Sequence, residues 1–121
     1  MVYTTLGSDA VAARSGPWLK TQSSVSDDHL LVRVIGELDL AGRAAVETAC
    51  ASSTHPAVTV DLAALIFMDC AGYAGLVSAR NAVIGRGGSF SWVNATGPPA
   101  RLLGMIDRLE RPGSTSMEQP T

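Results

Sequence analysis

The sequence predicts an α/β domain whose sheet is mixed but mostly parallel, with helices packed mainly on one face. Short aliphatic runs alternate with alanine-rich stretches of helical period, in the order strand, strand, helix, strand, helix, strand, helix. The run at 57–62 is apolar enough for a strand covered on both faces, as is typical of parallel sheets under helices. A chain of 121 residues suits one domain with its own hydrophobic core.

The amino-terminal part of this domain has the pattern of two antiparallel strands followed by a helix. Residues 18–25 suit an edge strand, and the polar residues 26–28 are typical of a turn. The aliphatic residues 30–35 predict a strand antiparallel to the first, which ends within 36–39. A helix is expected over 41–53 because its small apolar residues recur at helical spacing. The predicted apolar face consists of Ala44, Ala45, Val46, Ala49 and Cys50.

A second helix is expected after the strand at 57–62. Asp69 has the side chain of a good N-cap, and it precedes a helical pattern over 71–84. Gly85, Gly87 and Gly88 are expected to end that helix.

The carboxyl-terminal part adds one strand and one helix. Residues 89–93 predict the strand, and two prolines open a short helix over 98–107. We therefore expect a flexible amino-terminal tail at 1–16, a domain at 17–110 and a flexible carboxyl-terminal tail at 111–121.

Composition and motifs exclude several classes of function. A net charge of −2 lacks the basic excess expected of a nucleic-acid-binding protein. The longest apolar run, 57–68, is interrupted by Thr59 and Asp61, so we predict a cytoplasmic protein without a membrane span. Two cysteines and two histidines form no metal-binding pattern. No nucleophile and base can be paired from the sequence, and no cofactor motif is present, so we expect a protein that is not an enzyme and has no cofactor.

The informative stretch is 58–76, Val-Thr-Val-Asp-Leu-Ala-Ala-Leu-Ile-Phe-Met-Asp-Cys-Ala-Gly-Tyr-Ala-Gly-Leu. A buried strand is followed by a hydrophobic pair, an Asp and a Gly at the start of a helix. This pattern resembles the signature of STAS domains of the anti-sigma-factor antagonist family. Residues 34–39, Val-Ile-Gly-Glu-Leu-Asp, are similar to the family's strand exit, and 93–107 is similar to its last block.

The resemblance implies a STAS-type sandwich and a bacterial transcription regulator that works by partner switching. Such proteins bind a kinase-type anti-sigma factor, which has a histidine-kinase-like ATPase fold, and thereby release a sigma factor. The kinase inactivates its antagonist by phosphorylating the Ser just before the Gly. Here that position is Ala71, and Cys70 replaces the preceding Ser. Alanine has no hydroxyl, so the usual off-switch is absent at this position.

The resemblance places partner binding at the Asp39 loop and at the start of the second helix. Asp39 and Asp69 each precede a helix, so each can cap that helix as well as contact a partner. Tyr73 is either an exposed aromatic anchor or packed on the strand ends, and Arg80 falls on the polar side of the same helix. The predicted partner-binding residues are Asp39, Asp69, Cys70, Ala71, Gly72, Tyr73 and Arg80.

Two other functions stay open at this point. One is a STAS subunit attached to a transport or lipid-trafficking ATPase. The other is a redox-sensing or ligand-sensing domain, because a helix N-terminus favours the thiolate of Cys70. We expect a monomer or weak dimer.

Overall fold

A computed structural model describes residues 4–5, 13–14, 18–51 and 54–110. The described residues form seven strands and three helices. In chain order these are β1 Thr4–Thr5, β2 Ala13–Arg14, β3 Leu19–Ser26, β4 His29–Leu38, α1 Arg43–Ala51, β5 Ala57–Asp61, β6 Leu65–Met68, α2 Cys70–Gly85, β7 Ser89–Val93 and α3 Gly97–Glu110. The order of strand and helix from β3 onward is the predicted one, apart from β6.

The sheet is mixed, as predicted, with the strand order β1-β3-β4-β5-β7. Strands β3 and β4 form an antiparallel hairpin through a tight turn in which Asp27 takes a positive φ of 56°. A short acidic side chain tolerates this left-handed conformation. Strands β4, β5 and β7 are parallel, and the helices α1 and α2 connect them.

Strand β4 pairs with two different strands along the edge opposite β3. Its first half pairs with β5 and its last residues pair with β6, both in parallel. The sequence analysis predicted no strand over residues 65–68, so β6 was missed, whereas the predicted end of the hairpin strand within 36–39 agrees with its end at Leu38. Four residues are too few to show strand periodicity, and their pairing with the far end of β4 is not encoded locally.

The hydrophobic core lies between the sheet and the helices. Alternate residues of β4 and β5 face it, which leaves Thr59 only half-buried although its neighbours Val58 and Val60 are buried. The prediction that β5 is covered on both faces was therefore wrong. In α1, Val46 and Cys50 are fully buried as predicted, whereas Ala44 is exposed.

The ends of the domain differ from the sequence expectation in two respects. Within the predicted tail at 1–16, Thr4–Thr5 and Ala13–Arg14 pair antiparallel with β3. Helix α3 begins at Gly97 and continues to Glu110, beyond the predicted end at 107. The other predicted tail, 111–121, lies outside the described residues.

Candidate functional site

Asp69 caps the amino terminus of α2. Its carboxylate Oδ1 accepts a hydrogen bond from the backbone N–H of Gly72 at 2.8 Å, and its backbone oxygen accepts one from Tyr73 at 2.9 Å. Asp69 itself has extended backbone angles, as an N-cap residue should. The predicted cap is thus confirmed, and the first turn of α2 is held in a fixed position.

The start of α2 rests on the end of β4. The backbone N–H of Asp69 donates to the carbonyl oxygen of Leu38 at 3.3 Å. A β-carbon built on Gly72 would overlap that same oxygen and would lie 2.7 Å from the carbonyl carbon. Only glycine allows the helix to come this close. Residues 38–40 and 67–73 therefore meet, and we call this surface the β4–α2 junction.

Asp39 begins the turn from β4 into α1. Its Oδ1 accepts a hydrogen bond from the N–H of Ala41 at 3.0 Å, and its backbone oxygen accepts one from Gly42 at 3.0 Å. The structural role of Asp39 is therefore a turn cap one residue beyond Leu38. Asp39 thus directly follows the residue on which the start of α2 rests.

The outward side chains of the junction are small or apolar. Cys70 is exposed and Ala71 is half-buried. Leu40 and Phe67, which the sequence interpretation did not single out, are 68% and 40% exposed. For Leu40 the sequence offered one signal, because this apolar residue directly follows the acidic Asp39. Phe67 lies opposite Glu37 in the β4–β6 pairing, which the sequence did not predict.

Tyr73 and Arg80 lie farther along α2. The Tyr73 ring packs edge-on against Trp92, with ring centroids 6.2 Å apart, so it is anchored on the sheet and only half exposed. Arg80 is ten residues after Cys70, about 15 Å along a helix. Both side chains line a groove of about 370 Å³ between α2 and α3, with Trp92 and Asp107. The structure does not bring Arg80 to the junction.

The two cysteines have different environments, and both are free thiols. Burial raises the pKa of Cys50 from 9.0 to about 12, and the positive charge of Arg86 offsets part of this rise. The Arg86 guanidinium donates hydrogen bonds to the backbone oxygens of Cys50 and His55, at 3.4 and 3.1 Å. Cys50 is thus a core residue, and Cys70 is the thiol that a reagent or partner can reach.

The described residues contain no cluster of three or more His, Cys, Asp or Glu side chains that could hold a metal ion. None of the helices in the described ranges is long and apolar enough to cross a membrane. His29 places its Nε2 2.6 Å from Thr59 Oγ1, on the side of the sheet opposite the buried valines of β5.

Residues 21–108 match a family model described as "Mlab, STAS domain". The chain belongs to the STAS domain family. This STAS domain is similar to the solved structure of an anti-sigma factor antagonist from Mycobacterium paratuberculosis, with 28% sequence identity and a TM-score of 0.64. The alignment covers 80% of this chain and 85% of that one.

Two further solved structures resemble the STAS domain at lower identity. An antisigma-factor antagonist STAS domain from Rhodobacter sphaeroides has 20% identity and a TM-score of 0.59, covering 66% of this chain and 90% of that one. The antagonist SpoIIAA in its unphosphorylated form has 21% identity and a TM-score of 0.52, covering 74% and 97%. These two likenesses support the fold. No curated protein sequence matches the chain.

Proposed function

We propose that this STAS domain is an anti-sigma-factor antagonist of the bacterial cytoplasm. It binds a kinase-type anti-sigma factor, which has a histidine-kinase-like ATPase fold, and so releases a sigma factor. The supporting likeness is the antagonist from Mycobacterium paratuberculosis, at 28% identity over 80% of this chain. The observation that carries the proposal is the β4–α2 junction, where two segments that the family resemblance assigns to partner binding meet through Leu38 and Gly72.

The junction has the chemistry of a protein-binding surface. Leu40 and Phe67 offer exposed apolar side chains, and burying them against a partner stabilises a complex in proportion to the area removed from water. The carboxylates of Asp39 and Asp69 accept hydrogen bonds from backbone N–H groups of the turn and of the helix, so the surface is rigid before binding. A preorganised surface loses little conformational entropy on association. Cys70 and Ala71 open α2 directly after Asp69.

Regulation of this antagonist does not use a hydroxyl at position 71. In the resembling family the kinase phosphorylates a Ser here, and the added charge of nearly −2 abolishes docking by repulsion. Ala71 and Cys70 carry no phosphorylatable hydroxyl. We therefore propose that binding is not switched off at this position, and that control lies in another residue or in the amount of protein.

The decisive test is a charge at position 71. Ala71→Glu places a carboxylate at the centre of the junction, where a partner must desolvate it; this costs about 3 kcal/mol, roughly 100-fold in affinity. The variant should fold normally, because a helix N-terminus accepts an acid. Calorimetry with the purified anti-sigma factor measures the affinity, and thermal unfolding checks the fold.

Two matched control variants distinguish the effect of the introduced charge from the effects of side-chain size and of position on α2. Ala71→Gln has nearly the same size without the charge, and Ile84→Glu adds the same acid at an exposed position near the other end of α2. Both should bind at least ten times more tightly than Ala71→Glu. If Ala71→Glu binds as tightly as the parent protein, the junction is not the docking surface.

A second candidate function is a STAS subunit of a transport or lipid-trafficking ATPase. Membership of the STAS family, shown by the match over residues 21–108, is compatible with this candidate as well. Affinity capture followed by identification of the partner distinguishes the two. A soluble ATPase of the histidine-kinase-like fold supports antagonism, and a membrane-associated transport ATPase supports the alternative.

The third candidate, redox or ligand sensing through Cys70, rests on the exposure of that thiol. It requires that oxidation of Cys70 changes partner affinity. Equal affinity of the reduced protein, the oxidised protein and Cys70→Ser would eliminate it.

A further inference from the structure

Strand β7 has one edge with which no other described strand pairs. It is the last strand in the sheet order β1-β3-β4-β5-β7, and among the residues that the structure describes it pairs only with β5. The opposite end of the sheet is different, because β1 and β2 both cover the outer edge of β3. A free edge presents backbone donors and acceptors that can pair with another strand.

Two backbone hydrogen bonds show which groups of β7 face outward. The N–H of Ser89 donates to Pro56 oxygen at 2.7 Å, and the oxygen of Val93 accepts from Leu62 N–H at 2.9 Å. Along a β-strand, successive residues direct their backbone N–H and C=O groups alternately toward one neighbouring strand and toward the other. Ser89 and Val93 form hydrogen bonds toward β5, so the backbone groups of Phe90 and Trp92 point away from β5, toward the unpaired edge.

The edge carries none of the usual protection against strand pairing. The sequence of β7 is Ser-Phe-Ser-Trp-Val, with no charged residue and no proline. Natural edge strands are commonly protected by a Lys, a Pro or a bulge. Ser89, Ser91 and Val93 are exposed, and Val93 remains 38% accessible although it is β-branched and apolar. The strand thus suits pairing on its outward edge.

We propose that β7 pairs antiparallel with β7 of a second copy of this chain, about a two-fold axis at Ser91. This register places Phe90 opposite Trp92 of the second copy, and Trp92 opposite its Phe90. The outward N–H and C=O groups of both residues then exchange hydrogen bonds across the axis. No other antiparallel register of two β7 strands pairs all of these outward groups.

The side chains favour the same register. Phe90 and Trp92 both face the helix side, so each meets an aromatic partner across the axis, a pairing that stabilises antiparallel strands. Ser91 meets Ser91 of the second copy, which introduces no clash and no charge. The contact is a short strand pair, so the dimer is a weak one that forms at high concentration.

The proposed dimer is independent of the proposed function. Strand β7 lies two strands from β4 in the sheet, about 10 Å away. The two-fold axis therefore lies apart from Leu38 and Gly72, and Tyr73 is the junction residue that reaches β7, through its contact with Trp92.

A charge at the axis is the first test. Ser91→Lys and Ser91→Glu each bring like charges together, and each should sediment as a monomer at up to about 1 mM, where the parent protein sediments partly as a dimer. An equimolar mixture should recover the dimer, because Lys then faces Glu. Ser91 lies on the open face, with Oγ 3.4 Å from Thr59 Oγ1, so these variants should keep the parent's melting temperature within a few degrees.

Two outcomes of that test overturn the proposal. One is a parent protein that stays monomeric over the whole concentration range. The other is a dimer that Ser91→Lys leaves intact. If the parent is monomeric and Ser91→Lys instead weakens binding of the anti-sigma factor, the edge takes a strand of that protein, which also contradicts the proposal.

Cross-linking is the second test and fixes the register. In a Cys70→Ser background, which removes the exposed native thiol, Ser91→Cys should form a disulfide-linked dimer under mild oxidation. The two α-carbons at a pair without hydrogen bonds are about 4.5 Å apart, within disulfide range. Ser89→Cys is the matched control, because its equivalents would be about 13 Å apart along the strands. Equal cross-linking of both variants would reject the register.

Discussion

Gly72 packs directly against the backbone of Leu38, so that the first turn of α2 and the last residue of β4 share one carbonyl oxygen as their point of contact. The backbone N–H of Asp69 donates to that oxygen, and the α-carbon of Gly72 faces it without a side chain between them. The relative position of the two segments therefore depends on backbone atoms. This contact therefore fixes the geometry of the β4–α2 junction.

Replacing Gly72 with alanine should destabilise the protein. The added methyl group must move either the helix or the strand, and overpacking of this kind costs about 1–3 kcal/mol. Urea unfolding measures the loss. Gly85→Ala is the matched control, because a β-carbon there meets nothing within 4 Å and should be neutral or slightly stabilising. Equal stability of the two variants would mean that the junction is looser than the contact indicates.

Replacing Asp69 with alanine should cost about 1 kcal/mol of unfolding free energy, because the N–H of Gly72 loses its acceptor. Asp69→Asn retains a side-chain oxygen and should lose much less. Chemical unfolding of both variants at neutral pH gives the comparison. A neutral Asp69→Ala would show that water replaces the carboxylate at no cost.

Restoring a hydroxyl at position 71 should create a phosphorylation site, provided that the proposed function holds and the partner is an active kinase. Ala71→Ser places the acceptor where the resembling family carries it. Incubation with the cognate anti-sigma factor and ATP, followed by mass spectrometry of the intact chain, should show one added phosphate on the variant and none at 69–72 of the parent. Phosphate within 69–72 of the parent would contradict the interpretation of Ala71.

Stability should fall at alkaline pH because of Cys50. The folded state holds the thiol proton until pH about 12, whereas the unfolded state releases it near 9.0. Between these values the folded protein binds more protons, so unfolding free energy decreases as pH rises, by up to about 1.4 kcal/mol per pH unit. Urea unfolding from pH 8 to 11 measures the slope. Cys50→Ala, which lacks the thiol, should show a shallower slope; an unchanged slope would assign the effect to other groups.

The parts of the fold that were predicted are those with local signals. Aliphatic runs and helical spacing located the principal strands and helices, and the Asp69 carboxylate marked a helix start. Strands β1, β2 and β6 were missed because two to four residues carry no period, and the partners of β1 and β6 are about 20 or more residues away. Only tertiary pairing creates them.

The candidate site likewise contains residues that could be predicted from the sequence and residues that could not. The resemblance to STAS domains predicted partner binding at Asp39 and at the start of α2, and this role stays a prediction. It could not show that Arg80 lies with Asp107 in the groove between α2 and α3, since that depends on how α3 folds back. It also missed Leu40 and Phe67, because exposure of an apolar side chain is a property of the packed structure.

Because of the contact between Gly72 and Leu38, the groups that hold the β4–α2 junction together differ from the side chains that the junction offers outward. Backbone groups and one glycine make this contact, and next to it the side chain of Cys70 is exposed and that of Ala71 is half-buried. A substitution at either position can therefore change the outward surface and leave in place the contact that positions it. A single substitution at position 71 would then add or remove a hydroxyl while the shape of the surrounding surface is retained.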